Sequence, residues 1–442
     1  MKLEIGNFFV KEVKFGDVTK FSKGIFTINK EEAIAYVKED QHITDCDIVI
    51  THPGDETRIV PVKEAIEPRA KVGSDDVAFP GVTGGLSQAG LGRTNALKGC
   101  SVLAVGKHWG SFGDGLIDMS GEGAKYTMFS QLVNICLVAD TDEEFERQSA
   151  QKKNKAIRLG AHKLAEFLAK AVEDEEPYEI EVFELGSIIK RDSKVEALPS
   201  VVYIMQPQSQ MEEKGYNVLY YGWDLNQFVP TLVHPNEVLD GAVIGASYMC
   251  CSSKFSTYEF QNNPTIKRLY KEHGKTVNFL GVIMSNLNVS LEQKERSIIV
   301  ASKLAQMVGA DGAIIGEEGY GNTDADFIGC IVALEDMGIK TVGMTNECTG
   351  RDGHSQQLVT LAEEADAIVS CGNVSELVEL PPMKTVIGEL ESLARDGISG
   401  GWAFDEELGP SVRPDGSIIM LNDSMFCGDH VCGSSKKMVK EF

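Results

Sequence analysis

Over the first 140 residues, short apolar runs are broken by Gly and Pro. Residues 47–51 and 101–106 read as buried strands, the first ended by His52-Pro53-Gly54-Asp55. Between them lie Phe79-Pro80-Gly81-Val82-Thr83-Gly84-Gly85 and Gly90-Leu91-Gly92-Arg93-Thr94. Loops of that length are usually functional or mobile. The period then becomes helical. Thr141 and Glu144 form a capping box, and Ile157, Ala161, Leu164, Leu168 and Val172 share one apolar stripe. Asp174-Glu175-Glu176-Pro177 ends that helix. Strands are predicted at 180–183 and 201–205, and the polar stretch 206–216 reads as a linker or surface loop.

Beyond residue 276 the pattern turns regular. Strands are predicted at 277–284, 313–315, 339–342 and 367–369. Between them fall a helix capped by Ser290 and Gln293 and ended by Gly309, a helix through Phe327, Ile331 and Leu334 closed by Gly338, and a helix over 357–364. This alternation predicts an α/β chain: a C-terminal doubly wound parallel sheet plus an N-terminal β-rich α/β domain. The expected divisions are 1–140, 141–260 and 261–442, with the middle part leading into a segment around Cys250. Ligands of such sheets sit at the carboxyl ends of the strands, so the loops 316–326, 345–353 and 371–373 are candidate site loops.

Charge narrows the function. The 442 residues carry 66 acids against 42 bases, a formal charge of −24, which disfavours nucleic acid and anionic lipid. No stretch is apolar enough to span a membrane and no secretory pattern opens the chain, so a cytoplasmic protein is expected. Its ten cysteines are then expected as reduced thiols.

The loop from Gly316 to Asp326 carries Glu317, Glu318, Asp324 and Asp326. Such a loop suits an ammonium group or a metal better than a phosphate. Its other reading is a solvated loop with Thr323 as N-cap and the aspartates facing the helix dipole. In the next loop, Arg351 is placed to hold a carboxylate and Glu347 to act as acid or base, unless they form an internal pair. Cys250-Cys251 reads as a nucleophilic thiol or a buried pair. Cys427, His430 and Cys432 lack a second ligand pair, so no metal site is assigned.

Leu3-Glu4-Ile5-Gly6-Asn7, His52-Pro53-Gly54, Glu67-Pro68-Arg69, Gly92-Arg93-Thr94 and Val229-Pro230-Thr231 occur in order, followed by Gln261-Asn262-Asn263-Pro264, Gly350-Arg351-Asp352-Gly353 and Leu380-Pro381-Pro382-Met383. Together they resemble the alpha/beta-subunit proproteins of component B of the glycine, sarcosine and betaine reductases, with the D-proline reductase proprotein as a distant relative. The resemblance implies reductive C–N cleavage in amino-acid-fermenting anaerobes. Component B binds the small amine substrate, and a partner subunit's selenocysteine attacks carbon and expels the amine. The carboxymethyl group passes to a small selenoprotein carrier. It also implies autocleavage before an internal cysteine, which becomes a pyruvoyl group able to form a Schiff base with an amine.

In this chain that cysteine is Cys250, with Cys251 second, and the cut falls between Met249 and Cys250. Family members usually carry Asn or Thr before the cut, and Met249 offers no such polar group. A quaternary amine such as betaine forms no Schiff base, so an unprocessed chain suits it. A non-catalytic scaffold subunit is the competing expectation.

Overall fold

The computed structural model describes residues 1–107, 114–141, 150–189, 193–212, 215–246, 251–347, 358–391 and 411–429. It is a mixed α/β protein with two six-stranded sheets and several smaller ones. In the N-terminal large sheet the strand Thr57–Ile66 lies between Gly115–Asp118 and Cys100–Val105, followed outward by Val133–Thr141 and Ile43–Thr51. Thr385–Gly388 adds to this sheet from far down the chain, parallel to Thr57–Ile66. The predicted apolar stripe is real: Ile157, Ala161, Leu164 and Leu168 of the helix Ala150–Ala169 pack against Ile48, Ile135 and Leu137.

The second large sheet runs in the order Thr231–Val233, Asn278–Met284, Ser200–Gln206, Gly312–Glu317, Lys340–Glu347, Ile368–Asn373. The last five strands are parallel and the short edge strand is antiparallel. Asn278–Met284 is buried throughout, as a near-continuous apolar run in a parallel sheet should be. Alternate residues serve different cores. Val202, Ile204, Ala313 and Ile315 pack with Ala301 and Ala305 of the helix Leu291–Met307 and with Phe327 and Ile331 of Asp324–Glu335. Tyr203, Met205, Val282 and Met284 pack with Phe255, Phe260, Ile266 and Leu269. Strand order reverses at Ser200–Gln206, whose neighbours on both sides come later in the chain.

Ser290 caps its helix, accepting from the Gln293 amide at 3.4 Å, and Gly309 and Gly338 take the left-handed conformation after their helices. Three expectations fail. Residues 358–364 form no helix, because the Val359 amide donates to the Asp324 carboxylate at 2.9 Å instead of to a helical carbonyl. Thr323 makes no cap bond; Asp324 accepts from the Gly321 amide at 2.8 Å in that turn. The stretch after Gln206 is no surface linker either, since Gln206, Ser209 and Tyr216 are buried.

Candidate functional site

Glu317 ends the strand Gly312–Glu317 and Glu318 follows it, and the two carboxylates go to different partners. Gln206 and Glu317 are register partners on neighbouring strands. Glu317 is fully buried and its Oε1 accepts from the Thr345 hydroxyl at 2.6 Å. Its Oε2 and the Oε1 of Gln206 have no hydrogen-bond partner among the described residues. Burial, reinforced by the Asp324 carboxylate, pushes the Glu317 carboxyl well above the usual range. Glu318, also fully buried, spends both oxygens on backbone: Oε1 accepts from the Phe255 amide at 2.5 Å and Oε2 from the Gln208 amide at 2.7 Å. Burial pushes Glu318 up to about 8. The loop is therefore packed, not solvated. Glu347 is half-buried at its strand end, its carbonyl accepting from the Val374 amide at 2.8 Å. Met249, Cys250 and Arg351 lie outside the described residues.

The chain that follows Cys250 is threaded through the interior, and Cys251 to Gln261 are all buried. Three consecutive amides there go to three different buried carboxylates. Phe255 donates to Glu318 at 2.5 Å, Ser256 to Glu259 at 3.0 Å and Thr257 to Glu64 at 3.0 Å. Burial opposes ionisation of Glu64, but Lys254 at 3.8 Å and Arg158 at 3.5 Å hold it below the usual carboxylate range. His162 contacts the Thr257 hydroxyl at 3.0 Å and the Arg158 carbonyl at 2.8 Å, and burial pushes it down to about 4.

A third segment, residues 422–429, closes the assembly. The Cys251 thiol donates to the Asp423 carbonyl at 3.0 Å. The Cys427 amide donates to the Cys251 carbonyl at 2.8 Å, and the Asp429 amide to that of Ser252 at 3.2 Å. Asn346 donates to the Asp429 carboxylate at 3.1 Å. Burial pushes the Asp423 carboxyl up to about 8 and raises the Cys427 thiol well above its ordinary value. The acidic loop, the buried segment that follows Cys250 and the segment 422–429, three separate features in the sequence, thus meet at the carboxyl edge of one sheet. Among the described residues no three His, Cys, Asp or Glu side chains are grouped to hold a metal. His430 and Cys432 lie outside them.

Sequence reasoning missed Glu64, Arg158, His162, Lys254 and Glu259. The available signal was Lys63-Glu64 inside a run otherwise fit for a buried strand. Several motifs noted above turn out to be interior pins. Glu67 accepts from Arg69 at 2.8 Å and Lys98 at 2.9 Å, while its amide donates to the Gln261 side chain at 2.9 Å. Lys98 also donates to Asn262 at 2.7 Å. Thr94 donates to Asp240 at 2.6 Å, and Arg58 to the Pro381 carbonyl at 2.9 Å.

The structure describes a mixed α/β chain with a packed, buried segment beside its sheet edge, and comparison fixes the class. The chain belongs to the glycine/sarcosine/betaine reductase component B subunits, whose family model matches residues 1–440. It is a reductase subunit of that type. It is 65% identical over the full length of both chains to the betaine reductase complex component B subunit alpha of Peptoclostridium acidaminophilum. It is 40% identical, again over both full lengths, to the glycine reductase complex component B subunits alpha and beta of Acetoanaerobium sticklandii. The D-proline reductase proprotein of the latter organism is distant, 23% identical over 78% of this chain and 54% of that protein. No solved structure matches. No helix among the described residues is long and apolar enough to cross a membrane.

Proposed function

We propose that this chain binds the amine substrate of a selenium-dependent reductase that cleaves the C–N bond of a glycine derivative, betaine foremost, and that it works as one intact polypeptide. The carrying observation is the convergence at the sheet edge. With strand order reversed at Ser200–Gln206, the sheet brings Glu317, Glu318 and the segment after Cys250 together in one packed junction at its carboxyl edge. The relative named for betaine supports the substrate, at 65% identity against 40% for the one named for glycine.

The chemistry agrees. A selenolate from a partner subunit displaces the amine in line: the Se–C bond forms, the C–N bond breaks, and the electron pair leaves on nitrogen. Trimethylamine leaves as a neutral molecule without prior protonation, so no carbonyl activation of the nitrogen is required. Met249 before Cys250, lacking an amide or hydroxyl, fits a chain that is not cut. A cut chain bearing a pyruvoyl group in place of Cys250 is the second reading. The glycine relative's name, which gives two subunits to one chain, favours it.

Denaturing mass spectrometry separates the two. One full-length species, unchanged by a carbonyl reagent, is expected; two pieces with a carbonyl-reactive smaller one would establish the second reading. Reconstitution with the selenoprotein partners and a dithiol should release trimethylamine from betaine. Release of no amine from betaine, sarcosine or glycine would refute the assignment.

A further inference from the structure

The hairpin Leu219–Tyr220 to Trp223–Asp224 is unusual in its turn. Leu219 faces Asp224 and Tyr220 faces Trp223, so the turn is the two residues Tyr221-Gly222. Both take positive φ, 51° and 77°, the geometry that Asn-Gly ordinarily supplies. A tyrosine there is strained, and such strain persists only where its surroundings hold it. They do: the hydroxyls of Tyr220 and Tyr221 both donate to Glu237, at 3.1 and 2.9 Å. A Cβ on Gly222 would lie 2.1 Å from the Gly81 carbonyl oxygen, so the hairpin is clamped against the 79–85 loop.

Between hairpin and loop is a cavity of about 330 Å³ lined by Trp223, Asp224, Gln227, Lys155, Leu159 and Leu219 among others, within the size range of small-molecule sites. Trp223 is 58% exposed and forms part of its wall. Asp224 is buried, and its oxygens already accept from the Gly215 amide at 2.7 Å and the Asn217 side chain at 2.9 Å. The strand Leu219–Tyr220 pairs with Val243–Ile244, and Ile244 stands six residues before Cys250.

We infer that this cavity holds a small zwitterion whose nitrogen is quaternary, as in the betaine of the reading proposed above, on which this inference rests. A quaternary ammonium has no N–H to donate and is bound by an aromatic face and a negative field. Trp223 supplies the face. Asp224 supplies the field, its carboxylate being held in place by the Gly215 amide and Asn217. The Lys155 ammonium, whose Nζ lies 5.7 Å from the Tyr216 ring centre, is the group at this cavity that attracts a carboxylate. Glu317 and Glu318, by contrast, have no exposed surface.

Isothermal titration of the intact chain with betaine, and with choline as a probe lacking the carboxylate, tests the site. Trp223→Ala should weaken betaine binding by about tenfold or more, and Trp223→Phe should restore most of it. Lys155→Met should weaken betaine but leave choline unchanged. Glu317→Gln should leave betaine binding unchanged. Because Trp223 is exposed, its removal empties no core, and thermal unfolding checks each variant. Wild-type betaine affinity in both Trp223→Ala and Lys155→Met overturns the proposal. So does loss of binding in Glu317→Gln alone, which puts the amine at the sheet edge and leaves the reductase reading standing. A wild-type chain that binds no betaine, sarcosine or glycine overturns both.

Discussion

Replacing Glu67 with Gln removes the fully buried anion at the centre of a largely buried charge cluster. Burial opposes its ionisation, but Lys98 and Arg69 win and hold its pKa at about 2 against an ordinary 4.5. At about 1.4 kcal/mol per pH unit, the ionised carboxylate favours the fold by roughly 3 kcal/mol. Because the folded value is depressed, that contribution is complete above about pH 4.5 and is lost as pH falls toward 2. Glu67→Gln also leaves the Arg69 and Lys98 cations buried without their anion, a situation that costs about 3–5 kcal/mol. Urea unfolding at pH 7 should therefore show the variant less stable by about that amount, and the gap should narrow as pH is lowered from 5 to 3. A gap below about 1 kcal/mol at pH 7, or one that does not change with pH, would refute the reasoning.

Burial pushes His162 down to about 4, so the unfolded chain takes up a proton first as pH falls. Stability should be lost between about pH 6.5 and 4, by roughly 3 kcal/mol at the acid end, and His162→Gln should flatten that slope in denaturant titrations. Gly222→Ala should lower the melting temperature, by more than the usual cost of about 1 kcal/mol for alanine at positive φ, because the new Cβ meets the Gly81 carbonyl at 2.1 Å. An unchanged melting temperature would mean that the hairpin is not clamped.

Local pattern carried the long helices and the parallel strands of the second large sheet, but few of the shorter strands and helices. The helix Leu291–Met307 was readable because its cap, apolar face and terminating glycine are contiguous. Sheet order was not readable, since nothing in Ser200–Gln206 says that its neighbours come from beyond residue 277. The helix expected over 357–364 failed because its pattern is apolar for a different reason: Leu358 and Ala362 pack on the sheet's helical face while the Val359 amide goes to a side chain. Glu317 and Glu318 were found by position at a strand end, but only the fold shows that one faces Thr345 and the other holds Phe255 and Gln208. Buried charges such as Glu64 escaped because their partners are distant in sequence. The aromatic hairpin escaped because two-residue strands leave no period to read.

The interleaving of the two large sheets has a practical consequence for any cut near residue 250. The strand Ser200–Gln206 is flanked on both sides by strands from beyond the cut, and Thr57–Ile66 carries Thr385–Gly388 as a neighbour. Scission there would sever the covalent thread without loosening the weave. Sizing columns would see a single particle, and only a denaturant would part the pieces. Neither piece, synthesised alone, could complete its own sheet.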